Sequence, residues 1–286
     1  MAKSSMAGKA RQTKSTGKSK KPLLASHQRS WLWGRNLVLE TLAAGRWPIH
    51  ELHLADDLGA DATAAALAQV QAQAPKLKPG RASRARLAQL CGEADHQGYL
   101  ARVGPYPYVP AETLREQARM PSLWLILDGV QDPYNLGAML RSAEVFGVDG
   151  VFLGTQGQAG VNSLAARSSA GAVNRLGIAR VPSLPALVAE LRRAAVRVVG
   201  ASLHADYTLD ACDFTGPTAL VIGNEGTGLS ADVMAGCNMV ATIPQAGGLN
   251  SLNAAAAAAV CLYEVQRQRR QDVSMWGNVA SPGRMS

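Results

Sequence analysis

From Leu123 onward the chain alternates short, unbroken apolar runs with segments whose apolar positions recur every three to four residues. Leu123 to Leu127, Val151 to Leu153, Leu176 to Val181, Val196 to Gly200, Leu220 to Ile222 and Met239 to Ile243 are runs of the first kind. Bounded by turn residues, such runs read as buried strands. Between them, Asn135 to Phe146 puts Leu136, Met139, Leu140, Ala143 and Phe146 on one helical face. Ser163 to Gly171, Leu184 to Ala195 and the alanine-rich Ala254 to Glu264 also read as helices. The alternation predicts an α/β fold with a mostly parallel sheet covered on both faces. In such sheets ligands sit at the carboxyl ends of the strands.

The upstream pattern is shorter and more mixed. Leu37, Val38, Leu42 and Ala43 fall at helical spacing, with Gly45 as a C-cap. Ile49 to Leu54 alternates as a strand does, Ala60 to Ala74 and Ser83 to Cys91 read as helices, and His96 to Val103 as a turn into a strand. In the second helix Arg84 and Arg86 face outward. Residues 30–105 are therefore expected to form a small α/β domain. The run Gly104-Pro105-Tyr106-Pro107-Tyr108-Val109-Pro110 favours extended chain. With a short amphipathic helix from Ala111 to Arg119, it makes residues 106–120 a linker. Residues 121–270 form the larger domain and 271–286 a tail, frayed from Asn278.

Composition adds limits. With 47% apolar and 17% charged residues the chain is globular, and no apolar run reaches the roughly 18 residues that span a bilayer. Eight of its 29 Lys/Arg, and no acid, lie in residues 1–29, so the remaining 21 basic residues balance 21 acidic ones. The net charge of +8 is thus a property of the N-terminal tail. Rich in Lys, Ser, Gly and Thr, that tail is expected to be disordered. It reads as an arm for nucleic-acid phosphates or as a solubilising segment, with a mitochondrial transit peptide a weaker third option because the tail is Lys-rich and has no clear amphipathic helix. It lacks the apolar core of a secretory signal. Cys91, Cys212, Cys237 and Cys261 are far apart, which argues against a zinc site or a disulfide framework and fits the cytoplasm. No metal is expected.

Three polar loops carry candidate chemistry. Ile243-Pro244-Gln245-Ala246-Gly247-Gly248-Leu249-Asn250-Ser251-Leu252-Asn253-Ala254 runs from a strand into a helix that Asn250 or Ser251 can cap. Gly223-Asn224-Glu225-Gly226-Thr227-Gly228-Leu229-Ser230 has the spacing of a phosphate loop, with Leu229 in place of the lysine that a triphosphate needs. Its glycines allow close approach to a ligand, and Glu225 suits a hydroxyl, an amine or a cationic centre better than phosphate. Asp128 to Arg141 is again a strand end, a turn and a helix start, with Asn135 able to cap. Arg141 in that apolar helix needs an anion or an ion pair, with Glu144 or Asp149 the nearby candidates. Taken alone, the loop from Ile243 to Ala254 reads first as an ordinary strand-to-helix turn.

Taken together and in order, Asn135-x-Gly137-x-x-x-Arg141, Ile222-Gly223-Asn224-Glu225-Gly226-x-Gly228-Leu229 and Ile243-Pro244 through Ser251-Leu252-Asn253-Ala254 resemble the three motifs of the SpoU (TrmH-like) RNA 2′-O-ribose methyltransferases of the SPOUT superfamily. The match covers about residues 120–268, and Ser169-Ala170-Gly171-Ala172 is similar to a further family segment. The resemblance implies a parallel sheet closed by a deep trefoil knot that holds S-adenosylmethionine. It places the backbone of Gly223, Ile243 and Leu252 against the adenine and ribose of that cofactor. It places Asn135, Arg141, Glu225, Ser251 and Asn253 around the reacting centre, with Arg141 at the position of the family's proposed base. A guanidinium is a poor base, so anchoring the target phosphate is the easier role for Arg141.

Gly34-Arg35-Asn36 and His96-Gln97-Gly98 resemble the L30e-like RNA-binding domain that many members carry, with Arg35 as an RNA contact. Two departures stand out. Asn36-Leu37 replaces the more usual His-Ala, and the loop from Gln245 to Asn250 is richer in glycine than common versions. The implied function is methylation of a ribose 2′-OH in structured RNA, rRNA guanosine first, by a homodimer joined through the C-terminal domain. A tRNA ribose methyltransferase and a non-catalytic RNA-binding or ribosome-assembly protein are the alternatives.

Overall fold

The computed structural model describes residues 30–247 and 251–271. The basic N-terminal segment, Asn250 and the tail beyond residue 271 lie outside the described residues. The first elements are β1 (Trp31–Trp33), α1 (Arg35–Ala44), β2 (Ile49–Ala55), α2 (Ala60–Gln73), β3 (Gly80–Ala82), α3 (Arg84–Cys91) and β4 (Tyr99–Val103). They build a four-stranded sheet of order β1-β4-β2-β3, in which only the β2–β3 pair is parallel. Gly45 ends α1 in the left-handed conformation, its N–H donating to the Thr41 carbonyl at 3.3 Å.

After α4 (Ala111–Glu116) come β5 (Leu123–Asp128), α5 (Pro133–Val145), β6 (Gly150–Gly154), α6 (Ser163–Ser168), β7 (Ile178–Val181) and α7 (Leu184–Arg193). They are followed by β8 (Arg197–Ala201), β9 (Tyr207–Thr208), β10 (Thr218–Gly223), α8 (Ala231–Gly236), β11 (Met239–Thr242) and α9 (Ala254–Gln271). The seven strands form one sheet of order β7-β6-β5-β10-β8-β11-β9, and every pair is parallel. The unbroken apolar runs have a simple cause. Successive side chains of a strand point to opposite faces, and both faces here are covered. Leu123, Leu125 and Leu127 of β5 join the core beneath α5 and α9, whereas Trp124 and Ile126 pack with Leu187, Val188 and Leu191 of α7. The first of these cores continues into the four-stranded sheet through Leu32, Val38, Leu52 and Tyr99. Among the described residues no helix is long and apolar enough to cross a membrane.

Two capping expectations need correction. α5 begins at Pro133, and its cap is Asp132, whose Oδ1 accepts from the Tyr134 N–H at 2.9 Å. Asn135 lies inside the first turn. Proline is favoured at the first helical position, and the residue before it is held extended, which suits a cap. α9 is capped by Asn253, whose Oδ1 accepts from the N–H groups of Ala255 and Ala256 at 2.9 and 3.3 Å. Ser251 is not the cap, and both side chains are thereby placed differently from the sequence expectation.

Candidate active site

A cavity of about 400 Å³ opens at the carboxyl ends of β8, β10 and β11. Its apolar wall includes Ile222, Ala241, Ile243, Leu252 and Ala257, and Glu225, Ser251 and His204 give it polar groups. The glycine loop after β10 forms one side and is held by its own side chain Asn224. The Asn224 and Gly228 backbones exchange hydrogen bonds at 2.9 and 3.0 Å. The Asn224 Oδ1 accepts from the N–H groups of Gly226 at 2.8 Å and Thr227 at 3.0 Å, and its Nδ2 donates to the Gly129 carbonyl at 2.7 Å. Those two N–H groups are spent inside the loop, whereas a phosphate loop turns them toward its ligand. Leu229, in the place of the missing lysine, is buried and fills the space above Gly200, where a Cβ would lie 2.6 Å from Leu229 Cδ1. Both features make this loop a cradle wall rather than a triphosphate site.

Of the eight site residues expected in the larger domain, Gly223, Glu225, Ile243, Ser251 and Leu252 line the cavity. Asn135 and Asn253 do not line it, but they reach it through Glu225. Asn135 Nδ2 donates to Glu225 Oε1 at 2.9 Å, and Asn253 Nδ2 donates to Asn135 Oδ1 at 3.1 Å. Residues 118 positions apart are thus joined in one chain of side chains.

Arg141 stands apart. Six residues along a helix turn the side chain by about 240° relative to Asn135, so it does not share the cavity-facing side. It is exposed and, among the described residues, forms no ion pair. Its expected partners are taken: Asp149 pairs with Arg119 at 2.7 Å and Glu144 with Arg175 at 3.5 Å. Instead, Tyr134, Arg141 and Val145 share one stripe of α5, since offsets of seven and eleven residues return to within about 20°. Tyr134 and Val145 are 49% and 66% exposed, and Val260 and Tyr263 of the adjacent α9 are 39% and 52% exposed. Arg141 therefore lies between two exposed apolar side chains, Tyr134 and Val145, on one stripe of α5.

Arg35 is exposed at the start of α1, and its backbone N–H donates to Gln97 Oε1 at 2.9 Å. The two upstream motifs are thus joined in space. His96 is buried under them, its Nδ1 accepting from the Gly98 N–H at 3.1 Å. Sequence reasoning missed the framework role of Asn224 and the cavity residues Ser202, Leu203, His204 and Gln245. Only the rule that ligands sit at strand carboxyl ends pointed at the segment after β8.

The thiols near this region are not nucleophiles. Burial pushes the Cys237 thiol up to about 11 and the Cys261 thiol up to about 12, so neither is a thiolate at neutral pH. No group of three or more His, Cys, Asp or Glu side chains is placed to hold a metal among the described residues.

Residues 122–263 match the SpoU rRNA Methylase family, and residues 31–109 match the RNA 2′-O ribose methyltransferase substrate-binding domain. An uncharacterised tRNA/rRNA methyltransferase of Mycolicibacterium vanbaalenii is 40% identical over 241 residues, spanning 83% of this chain and 76% of the relative. One from Mycobacterium avium is 38% identical over 254 residues, spanning 88% and 81%. The solved structure of the SpoU methyltransferase AviRb from Streptomyces viridochromogenes, in complex with AdoMet, matches with a TM-score of 0.71 at 30% identity. It covers 84% of this chain and 90% of that one. An AdoMet-bound rRNA methyltransferase from Sinorhizobium meliloti matches with a TM-score of 0.70 at 27% identity, covering 83% and 86%.

Proposed function

The chain belongs to the SpoU rRNA methylase family, and from that premise we propose that it methylates a ribose 2′-OH of rRNA, with guanosine the favoured nucleoside, using S-adenosylmethionine. The observation that carries this reading is the cavity at the ends of β8, β10 and β11, which brings Gly223, Glu225, Ile243, Ser251 and Leu252 together. Its chemistry fits the cofactor. The apolar wall suits a purine, the carboxylate suits a cationic centre, and among the described residues no lysine or arginine lines the cavity to favour a triphosphate. Ile243, Leu252 and the backbone at Gly223 would hold the nucleoside part, and Glu225 and Ser251 would face the reacting end. S-adenosylmethionine supplies an electrophilic methyl group on a sulfonium.

The protein's share of the rate is then positioning and proton removal. In-line placement of the ribose oxygen supplies several kcal/mol of the barrier, up to about 7–11 in well-oriented systems. As the 2′-OH attacks, its proton has to leave. Arg141, always cationic, is suited to hold the target phosphate while that phosphate or a water accepts the proton. Arg141 faces away from the cavity of its own chain. We therefore assign it to the cavity of a second copy, with the Tyr134–Val145 stripe and the exposed Val260 and Tyr263 as the homodimer surface. The four-stranded unit, with Arg35, is the RNA-binding part, and residues 106–120 connect the two units. The knotted path implied by the resemblance belongs to the same reading; its support is that α9 returns from the β11 loop to pack on α5 and β10. The compartment is the cytoplasm, where four unbridged thiols persist.

The test is to map 2′-O-methyl groups by protection from alkaline hydrolysis in total RNA, with and without the protein, alongside calorimetry with S-adenosylmethionine. New protection in rRNA is the expected result. Protection confined to tRNA moves the substrate to tRNA, as the naming of the mycobacterial relatives allows. No binding of S-adenosylmethionine or S-adenosylhomocysteine leaves a non-catalytic RNA-binding protein.

A further inference from the structure

We propose that Asn253 is a positioning residue, the fixed end of a hydrogen-bond relay that runs from the first turn of α9 through Asn135 to Glu225 and sets where the Glu225 carboxylate stands in the cavity. The inference rests on reading that cavity as the methyl-donor site.

The relay has only one possible polarity. Backbone N–H groups can only donate, so the atom of Asn253 that faces Ala255 N at 2.9 Å and Ala256 N at 3.3 Å must be its carbonyl oxygen. The amide nitrogen then points the other way, 3.1 Å from Asn135, and the atom of Asn135 that meets it must be an acceptor. With its oxygen committed, Asn135 offers its own nitrogen to Glu225 Oε1 at 2.9 Å. Each amide orientation is dictated by the one before, beginning at a helix end that cannot reverse. The last member has to accept, which a carboxylate does and an amide or hydroxyl does only in one orientation.

Only that last member lines the cavity; Asn135 and Asn253 do not. They therefore act on the reacting centre through Glu225. The three residues come from three separate segments: the first turn of α5 after β5, the loop after β10, and the cap of α9 after β11. The relay thus also ties the two polar motifs to the start of α9. Glu225 is exposed on a loop and would otherwise sample several rotamers. Held by Asn135, it presents one geometry.

The discriminating experiment is a double-mutant cycle of Asn253→Asp and Glu225→Gln in the full-length protein. Asn253→Asp keeps a good helix cap but has no donor for Asn135. Asn135 must then turn its nitrogen toward the new carboxylate and show its oxygen to Glu225, acceptor against acceptor. Glu225→Gln restores a donor there, and the relay runs in reverse.

Two readouts are taken: the melting temperature, and tritium transfer from S-adenosylmethionine to in-vitro-transcribed ribosomal RNAs and bulk unmodified tRNA. Asn253→Asp alone is expected to lower the melting temperature by about 2–4 °C and methyl transfer by about tenfold or more. In the Glu225→Gln background the same substitution is expected to cost less than about twofold in the remaining transfer and to leave the melting temperature unchanged. Equal effects of Asn253→Asp in both backgrounds, in the melts, overturn the relay whether or not the enzyme is active. A wild-type protein that binds no S-adenosylmethionine overturns the functional reading alone, because the melting cycle still reads the relay.

Discussion

At Gly137 a side chain has no room. A Cβ built there would lie 2.5 Å from Ser168 Cβ and 2.9 Å from Ser169 N, and closer still to the Ala165 carbonyl. The contact lets α5 and α6 approach until Ser168 Oγ donates to the Tyr134 carbonyl at 2.8 Å, one residue before Asn135. Gly137→Ala gains about 1 kcal/mol in helix propensity and meets an overpacking cost of about 1–3 kcal/mol or more. Packing is expected to win because two of the three obstructing atoms are backbone. The variant should therefore melt lower than the wild type by differential scanning calorimetry, and an equal or higher melting temperature would refute the close-packing account. The same scale shows where the sequence was and was not readable. Spacing placed Gly137, Asn135 and Arg141 on one helix. It did not decide which polar residue caps that helix, because Asp132 and Asn135 are both good caps, although Pro133 next to Asp132 carried the answer. At α9 the choice fell on Asn253, two or three residues beyond the expected caps. A cap is settled by the residue at which the chain turns, and an alanine-rich helix gives no periodicity to mark its first turn.

At the scale of elements, the buried strands and long helices followed from their patterns, and the strands that did not were short or exposed. β1 is three consecutive buried residues with no alternation to read, β3 starts on a glycine, and β9 is two exposed residues on the sheet edge. What fixes α9 in place was also invisible, since it depends on a distant segment. Gln268 Nε2 donates to the Cys212 carbonyl at 2.8 Å and its Oε1 accepts from the Phe214 N–H at 2.9 Å. Arg269, buried, donates to the carbonyls of Phe214, Pro121, Ser122 and Gly216 at 2.9–3.1 Å. Glu264 holds the Gln268 part of this array, its Oε1 accepting from Gln268 Nε2 at 2.8 Å. Hydrogen bonds from Arg267, then from Gln268, hold its carboxyl below the ordinary range against the opposing effect of burial. Asp213 nearby is held low by the side chain and backbone of Thr215 and by Arg197. A carboxyl with a depressed folded-state pKa stabilises the fold above its unfolded value, 4.5 for Glu264 and 3.8 for Asp213. That contribution is lost as pH falls through the folded value. The melting temperature should therefore hold from about pH 7 to 5 and fall below that. Glu264→Gln should melt lower than the wild type at pH 7 and lose less on acidification. If the two proteins show the same fall, Glu264 does not anchor α9.

At the scale of the molecule, the two sheets are joined by a polar seam that no local pattern announces. Strand order and the faces that meet are set by non-local packing, and an apolar stripe does not name its partner. The seam is built on α6 and the turn after it. Arg167 lies over the Trp33 ring, 5.4 Å from its centroid, donates to the Trp33 carbonyl at 3.4 Å and pairs with Asp95. Arg46 donates to the carbonyls of Asn174 and Leu176 at 3.3 and 3.1 Å, and Asn174 Nδ2 donates to the buried Thr41 Oγ1 at 3.1 Å. Arg167 sits next to Ser168, which touches α5 at Tyr134. The unit proposed to bind RNA therefore presses on the helix that carries Asn135, with one short helix between them. Cutting this seam should separate substrate delivery from cofactor binding. Arg167→Ala removes a cation–π contact and a partly exposed ion pair, together about 1–2 kcal/mol, and leaves every cavity-lining residue in place. The expected outcome is an unchanged dissociation constant for S-adenosylmethionine with a KM for RNA raised about five- to thirtyfold, the equivalent of that energy. Calorimetry and initial-rate measurements on the same preparation decide it. A loss of cofactor affinity would mean that Arg167 supports the larger unit itself. An unchanged KM would mean that the apolar core shared through Leu32 and Val130 holds the two units in register without the seam.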